Sequence, residues 1–278
     1  MSLQPGLYVA ATPIGNLKDI TLRVIEALRE ADLILCEDTR VTGKLLNAHS
    51  IKTPMKAYHD HNAARVRPEV LERLESGARI CLVSDAGTPL ISDPGYKLVR
   101  EVRDAGLAVF TLPGPSAMVA ALSVAGAPTD RFLFAGFLPV KSGARKSELE
   151  ALKAVPATLV FYETGPRLAS CLADMAEVLG SRKVAVAREL TKLHEEVREG
   201  LPGDLSAVYM EEGAPKGEIV VVVHPPAEDE PGAADAEAII EQLLEDHSVK
   251  EAATIAAEQT GLPRKQMYDI ALTLKKGR

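Results

Sequence analysis

Three segments of this 278-residue chain combine glycine, proline and small hydroxyl or carboxylate residues in the manner of ligand-holding loops. The first is Ala11-Thr12-Pro13-Ile14-Gly15-Asn16-Leu17. Gly15 lets backbone approach a ligand closely, and Pro13 stiffens the turn. The second runs from Val83 through Ser84-Asp85-Ala86-Gly87-Thr88-Pro89 to Gly95, and the third is Leu112-Pro113-Gly114-Pro115-Ser116-Ala117. The Asp85 carboxylate accepts hydrogen bonds, while the Ser116 hydroxyl donates and accepts. Each segment alone is an ordinary turn. Each follows an apolar run in the same half of the chain, and together they describe the walls of one cleft.

Candidates for proton transfer lie further on. Glu163 follows an apolar run, and Glu189 and Lys192 fall within Arg188-Glu189-Leu190-Thr191-Lys192. A lysine serves as a base only when burial depresses its pKa. The competing reading makes Arg188, Glu189 and Lys192 an ion-pair network at a domain junction. His59-Asp60-His61 would share one face of a strand, but two histidines without a third ligand make a weak metal site, and they read better as a polar wall. G-x-G-x-x-G, the P-loop pattern, H-E-x-x-H and G-x-S-x-G are all absent, which argues against nicotinamide dehydrogenases, P-loop NTPases, zinc peptidases and α/β-hydrolases.

These loops need elements to hold them. Strands are expected at Leu7–Ala11, Leu33–Cys36, Ile80–Ser84 and Ala108–Leu112, with helices at Leu22–Ala31, Val66–Ser76 and Tyr96–Ala105. That alternation predicts a mostly parallel sheet, and ligands bind at the carboxyl ends of such strands. A helix after Pro113 leads into strands at Phe132–Phe137, Thr158–Tyr162, Val184–Ala187 and Ile219–Val223. Helices are expected at Ala144–Ala154, Arg167–Leu179 and Asp204–Glu211, while Glu195–Gly200 fits neither pattern. The expected architecture is α/β: an N-terminal α/β domain over 1–115, a C-terminal α/β domain over 116–226, a linker at 227–234 and a helical tail over 235–278. In the tail, apolar residues recur at helical spacing around Ile240, Ala253 and Ile270. Ser248 and Glu251 form a capping box, and Pro263 opens the last helix after a turn at Gly261. Ala257 and Gly261 have the spacing of a helix-turn-helix bend, which raises a nucleic-acid-binding regulator as an alternative.

Composition agrees with this plan. The chain is 46% hydrophobic and has no tryptophan, so its cores must be built from Ala, Val, Leu and Ile, as buried parallel strands require. Cys36, Cys81 and Cys171 form no C-x-x-C pair and read as small buried hydrophobes in a reducing compartment. No signal-like start and no membrane-length apolar run occur, so a cytoplasmic protein without a membrane partner is expected. The net charge is −7, but residues 228–246 hold eight carboxylates and no Lys or Arg, leaving the rest with a slight positive excess. Basic clusters containing Arg40, Lys44 and Arg65, and Lys141, Arg145 and Lys146, are candidate phosphate contacts.

The loops, in this order, resemble the tetrapyrrole methylase superfamily of S-adenosylmethionine enzymes. So do Glu37-Asp38-Thr39-Arg40, His59-Asp60-His61-Asn62, Phe161-Tyr162-Glu163, Arg188-Glu189-Leu190-Thr191-Lys192 and Lys216-Gly217-Glu218. The resemblance covers nearly the whole chain. It is narrower still to the bacterial branch that methylates the 2′-hydroxyl of a cytidine in 16S ribosomal RNA. Corrin and porphyrin enzymes usually carry Gly-Asp-Pro in the second loop, where this chain has Asp85-Ala86-Gly87-Thr88-Pro89. The resemblance implies that S-adenosylmethionine folds into a cleft between the two α/β domains. Pro13, Ile14 and Gly15 would contact the donor, Asp85, Ala86, Gly87, Thr88 and Ser116 would hold its methionine and ribose parts, and Tyr162 would lie over the adenine. It also implies metal-free transfer, a homodimer, and the small ribosomal subunit as partner. Tetrapyrrole and diphthamide-pathway protein methyltransferases remain alternatives within the same fold.

Overall fold

The computed structural model describes residues 3–226, 233–260 and 264–276. The chain divides into a large unit ending at Pro225 and a small one beginning at Pro226. The large unit is built on two five-stranded sheets.

The first sheet contains β1 (Gly6–Ala10), β2 (Leu33–Cys36), β3 (Met55–Ala57), β4 (Arg79–Leu82) and β5 (Val109–Leu112), in the order β3-β2-β4-β1-β5. Every pairing is parallel. Its central strands are apolar on both faces because both faces are covered. Tyr8, Ile34 and Cys81 pack under α1 (Leu22–Glu30) and α2 (Thr39–Ala48), whereas Leu7, Leu35 and Ile80 pack under α3 (Ala63–Glu75) and α4 (Tyr96–Asp104). Capping fixes the helix starts: Thr21 Oγ1 accepts from the Val24 N–H at 3.3 Å, and an Asp38 carboxylate oxygen accepts from the Arg40 N–H at 2.8 Å. The neighbouring strands β4, β1 and β5 run in the same direction, so the three glycine- and proline-rich loops emerge at one edge. The expected strand through His59-Asp60-His61 is not there. These residues form the turn between β3 and α3, where the His59 N–H donates to Asn62 Oδ1 at 2.9 Å. The two rings meet edge-on, 6.0 Å apart.

The second sheet contains β6 (Phe132–Phe137), β7 (Thr158–Thr164), β8 (Val184–Arg188), β9 (Glu196–Gly200) and β10 (Glu218–Val223), in the order β6-β7-β10-β8-β9. Only β6 and β7 pair in parallel; β10 lies antiparallel between β7 and β8, and β8 pairs antiparallel with β9. The stretch whose pattern fits neither element is thus an edge strand, half-buried and exposed by turns. Leu159, Phe161, Val186 and Val221 face α6 (Ser142–Leu152), α7 (Gly165–Leu179) and α8 (Pro202–Glu212). Val160, Ala185, Ala187 and Val220 face the other way, toward α5 (Ala117–Val124). Ile14 of the first loop is buried in that same layer, so one apolar side chain, contributing about 1.5–3 kcal/mol, ties the first sheet to the second.

The small unit contains α9 (Ala233–Leu243), α10 (Val249–Thr260) and α11 (Arg264–Lys276). Ala236, Ile240, Ala253, Ala256, Met267 and Ala271 are buried between them. Isolated helices under about 12–15 residues barely form in water, so this shared core holds all three. Ser248 and Glu251 cap α10 reciprocally, at 3.1 and 3.3 Å. Residues 227–232 of the expected linker, Gly261, Pro263 and Arg278 lie outside the described residues, and Ala233 and Ala234 already belong to α9. Among the described residues no helix is long and apolar enough to cross a membrane.

Candidate active site

A cavity of 410 Å³ opens where the loop edge of the first sheet meets the α5 face of the second. The loops that line it are tied to one another. The Thr12 N–H donates to the Gly87 carbonyl at 2.9 Å, and the Gly87 N–H donates back to the Thr12 carbonyl at 3.0 Å. The Thr88 hydroxyl then reaches the Pro115 carbonyl at 3.0 Å. Gly87 has φ +79°, a conformation that favours glycine, and this brings the second loop against Ile14 and Pro115.

Ile14, Asp85, Ala86, Gly87, Thr88, Ser116 and Tyr162, all anticipated as ligand contacts, line the cavity together. Tyr162 presents its ring between Phe134 and Phe137, at centroid distances of 4.8 and 5.6 Å. Pro13 and Gly15 are not among the lining residues. Gly15 instead backs onto the stem of Lys192: a Cβ there would lie 2.5 Å from Lys192 Cγ. Its smallness accommodates a lysine.

The proposed proton-transfer residues are placed differently. Glu189 and Lys192 stand outside the lining. The Lys192 ammonium donates to Glu189 Oε1 at 2.8 Å and to Glu218 Oε2 at 2.7 Å. Burial alone would lower its pKa, but those two hydrogen bonds outweigh burial and hold it above the ordinary value. This is the reverse of what a lysine base requires, and the ion-pair reading is the one that fits. Glu189 is held below the usual carboxylate range by the same ammonium. Glu189 and Thr191 both adopt left-handed backbone, at φ +50° and +67°, in the tight turn that carries this clamp. Glu163 borders the cavity, but its side chain lies with Phe161 on the α7 face. There Oε1 accepts from the Thr164 N–H at 2.7 Å and sits 3.1 Å from Arg167 Nε.

Among the described residues twenty line the cavity; they include the acids Asp85, Asp93, Glu163 and Glu218, and no Lys, Arg or His. Asp85 accepts from the Asp38 N–H at 3.0 Å. Burial, then the nearby Glu37 and Asp85 charges, push the Asp93 carboxyl up to about 6, against an opposing hydrogen bond from Ser84. Ile91, Ser92 and Asp93, in the second half of the second loop, also line the cavity, although the sequence reading gives them no role. The signal was the continued Ser-Asp-Pro-Gly run. Ala187, Leu190, Gly217 and Val220 also line the cavity, and their strand patterns gave no sign of it.

Of the candidate phosphate contacts, Arg40, Lys44, Arg65 and Lys141 are exposed, Arg40 by 87% of its side chain even while it pairs with Asp38. Lys146 is half-buried and bonded to Glu177 at 2.5 Å. Arg145 must be withdrawn. It is 3% exposed, its Nε lies 2.6 Å from Asp174, and Nη1 donates to the Pro139 and Val140 carbonyls. It falls one turn from the buried Leu149 on α6 and faces inward with it.

A family model for Tetrapyrrole (Corrin/Porphyrin) Methylases matches residues 6–206, and one for the RsmI C-terminal HTH domain matches residues 230–275. Ribosomal RNA small subunit methyltransferase I of Mesorhizobium japonicum is 50% identical over 274 residues, covering 98% of this chain and 93% of its own. The protein of the same name from Erythrobacter litoralis is 54% identical over 273 residues, covering 98% and 96%. Among solved structures, a diphthine synthase aligns with TM-score 0.63 at 15% identity, over 78% of this chain and 89% of that one. Uroporphyrin-III-C-methyltransferase from Thermus thermophilus aligns with TM-score 0.57 at 21% identity, over 78% and 94%. At these identities the two structures speak for the fold.

Proposed function

Because the chain belongs to the tetrapyrrole (corrin/porphyrin) methylases, in the branch of the ribosomal RNA small subunit methyltransferases I, we propose that it methylates the ribose 2′-hydroxyl of a cytidine in 16S ribosomal RNA. It is an S-adenosylmethionine-dependent methyltransferase acting on the small ribosomal subunit. The observation that carries this reading is the lining of the cavity, where Asp85 and Asp93 stand with no cationic side chain among the described lining residues. Such walls favour a positively charged occupant and disfavour a free anion.

The residues fit the donor. Ala86, Gly87, Ala117 and Ala187 leave room, Asp85 and Ser116 supply polar contacts for the ribose and methionine parts, and Tyr162 and Phe137 offer flat apolar surface to the adenine. The donor supplies a methyl group already activated on a positively charged sulfur. The chain must align the ribose oxygen with that methyl, and alignment alone can lower a barrier by about 7–11 kcal/mol. Thr12, Gly87, Thr88 and Pro115 provide the rigid frame for it through their mutual hydrogen bonds. Arg40, Lys44, Arg65 and Lys141 are exposed cations for RNA phosphates. The enzyme works in the cytoplasm as a homodimer, with exposed apolar residues such as Val119, Val124, Phe132 and Val140 facing a second copy.

Calorimetric titration with S-adenosylmethionine tests the donor, and tritium transfer into small ribosomal subunits followed by mapping of the labelled nucleotide tests the acceptor. Transfer only to a precorrin-type or protein substrate would sink the assignment.

A further inference from the structure

On the reading that this cavity holds S-adenosylmethionine, we propose that Asp93 is its proton acceptor: the carboxylate stands against the donor's positive charge and takes the proton that leaves the ribose hydroxyl. Asp93 is what remains when the acids that line the cavity, and Glu189 beside them, are followed to their partners. Glu189 lies outside the lining and is bound to Lys192, and Glu218 is bound to the same ammonium. Glu163 turns to Arg167 on the opposite face of the sheet. Asp85 receives the Asp38 N–H. The groups facing Asp93 are the Ser84 hydroxyl and the Glu37 and Asp85 carboxylates, with Tyr162 across the cavity, and no cation is among them.

The chain contorts to place it there. Leu90 and Ser92 adopt left-handed backbone, at φ +74° and +64°, although neither is glycine. Gly95, at φ +137°, packs so tightly that a Cβ would lie 2.9 Å from Leu82 Cδ2. Backbone of this kind persists where the surroundings over-determine it.

The chemistry follows from charge. Asp93 is half-buried near two other carboxylates, which favours its protonated form up to a pH of about 6 when no positive charge stands beside it. A positive occupant displaces that proton and leaves an ionised base. During transfer the ribose O–H bond breaks toward an Asp93 carboxylate oxygen. The oxygen's electron pair forms the O–CH₃ bond, and the CH₃–S pair stays on sulfur. One positive and one negative charge disappear together, so no co-reactant is required. The affinity of Asp93 for a proton rises in the same step that releases one, and the neutral thioether product meets a protonated wall.

The test uses the full-length protein, with Asp93→Asn and Asp93→Glu checked for folding by circular dichroism. Calorimetry would measure S-adenosylmethionine and S-adenosylhomocysteine binding from pH 5 to 8, in buffers of different ionisation enthalpy so that protons are counted. Wild type should release protons on binding the donor and lose affinity for it by up to about tenfold per unit as pH falls below 6. The thioether should lack that slope, and Asp93→Asn should abolish it. Single-turnover transfer to small ribosomal subunits, at saturating donor, should fall roughly 10²–10⁴-fold in Asp93→Asn with RNA affinity unchanged, and Asp93→Glu should recover part of it. A retained slope, equal losses for donor and thioether, or an unchanged transfer rate in Asp93→Asn would overturn the role given to Asp93. Absence of donor binding in the wild type would overturn the donor reading itself.

Discussion

A single methyl group on Gly15 should loosen the seam between the two sheets. The Cβ of a Gly15→Ala variant would lie 2.5 Å from both Cγ and Cε of Lys192, where ordinary contact begins at 3.4 Å. The lysine stem must retreat by most of an ångström, yet its ammonium is held 2.8 Å from Glu189 and 2.7 Å from Glu218. Both demands cannot be met. Overpacking of this kind costs about 1–3 kcal/mol. Loss of the Glu218 pair adds no more than about 1 kcal/mol, since that carboxylate is 72% exposed. We expect a destabilisation of about 2 kcal/mol by urea unfolding. Donor affinity should weaken as well, because Leu190 and Glu218 belong to the cavity wall. The decisive measurement is a double-mutant cycle with Lys192→Ala, which removes the obstructing side chain. The φ of +159° at Gly15 adds a backbone cost that both backgrounds share, so it cancels. The coupling should reach at least about 1 kcal/mol. An equal cost of Gly15→Ala in both backgrounds would refute the argument.

Arg145→Ala should destabilise the protein by up to about 3–5 kcal/mol, because it leaves the buried Asp174 with only the Ser142 hydroxyl and the Lys146 ammonium 3.8 Å away. Ribosomal RNA affinity, measured where the variant is still folded, should not change. Asp93→Asn should raise the thermal midpoint of the donor-free protein at pH 7.5. The folded carboxyl titrates near 6, above its unfolded value, so the wild-type residue favours folding most at low pH and loses that contribution as pH rises through 6. The gain over wild type, at most about 2–3 kcal/mol, should shrink toward pH 4. Truncation after Pro226 should preserve donor binding but weaken ribosomal RNA binding and reduce its salt dependence, because Lys250, Arg264 and Lys265 are exposed on the small unit. Filter binding at several salt concentrations checks this, and equal slopes would leave that unit with no role in RNA binding.

The first sheet was legible because strands buried on both faces read as unbroken apolar runs such as Leu33–Cys36 and the Ile80-Cys81-Leu82 part of β4. The edge strand Met55–Ala57 was not, since three half-exposed residues carry no period. In the second sheet the strands could be found, but nothing in Ile219–Val223 says that it inserts between β7 and β8. The ligand loops announced themselves through Gly, Pro and Asp. The partner of a loop residue did not: Gly15 looked made for a ligand and serves Lys192, from the far end of the chain's second sheet. Charge on a helix suggests solvent, and it takes Asp174 on another helix, with the Pro139 and Val140 carbonyls, to make Arg145 an interior residue. Acid–base roles were the least legible, because they depend on which carboxylates lack a cation.

The position of β10 bears on how the chain is made. A ribosome delivers β7 and β8 long before Glu218–Val223, the strand that joins them. Until then both present open hydrogen-bonding edges, with Val160, Phe161, Val184 and Val186 beside them. The first sheet, complete by Leu112, suffers no such delay. Nascent chains stalled between these points would hold a finished parallel sheet and a gap in its neighbour. They would be prone to pair edge to edge with one another. Gly217, Glu218, Ile219 and Val220 are also wall residues, so the last strand to emerge closes both the gap and the pocket. Capture of the methyl donor thereby becomes a late event of biosynthesis, arriving only with the completed second sheet.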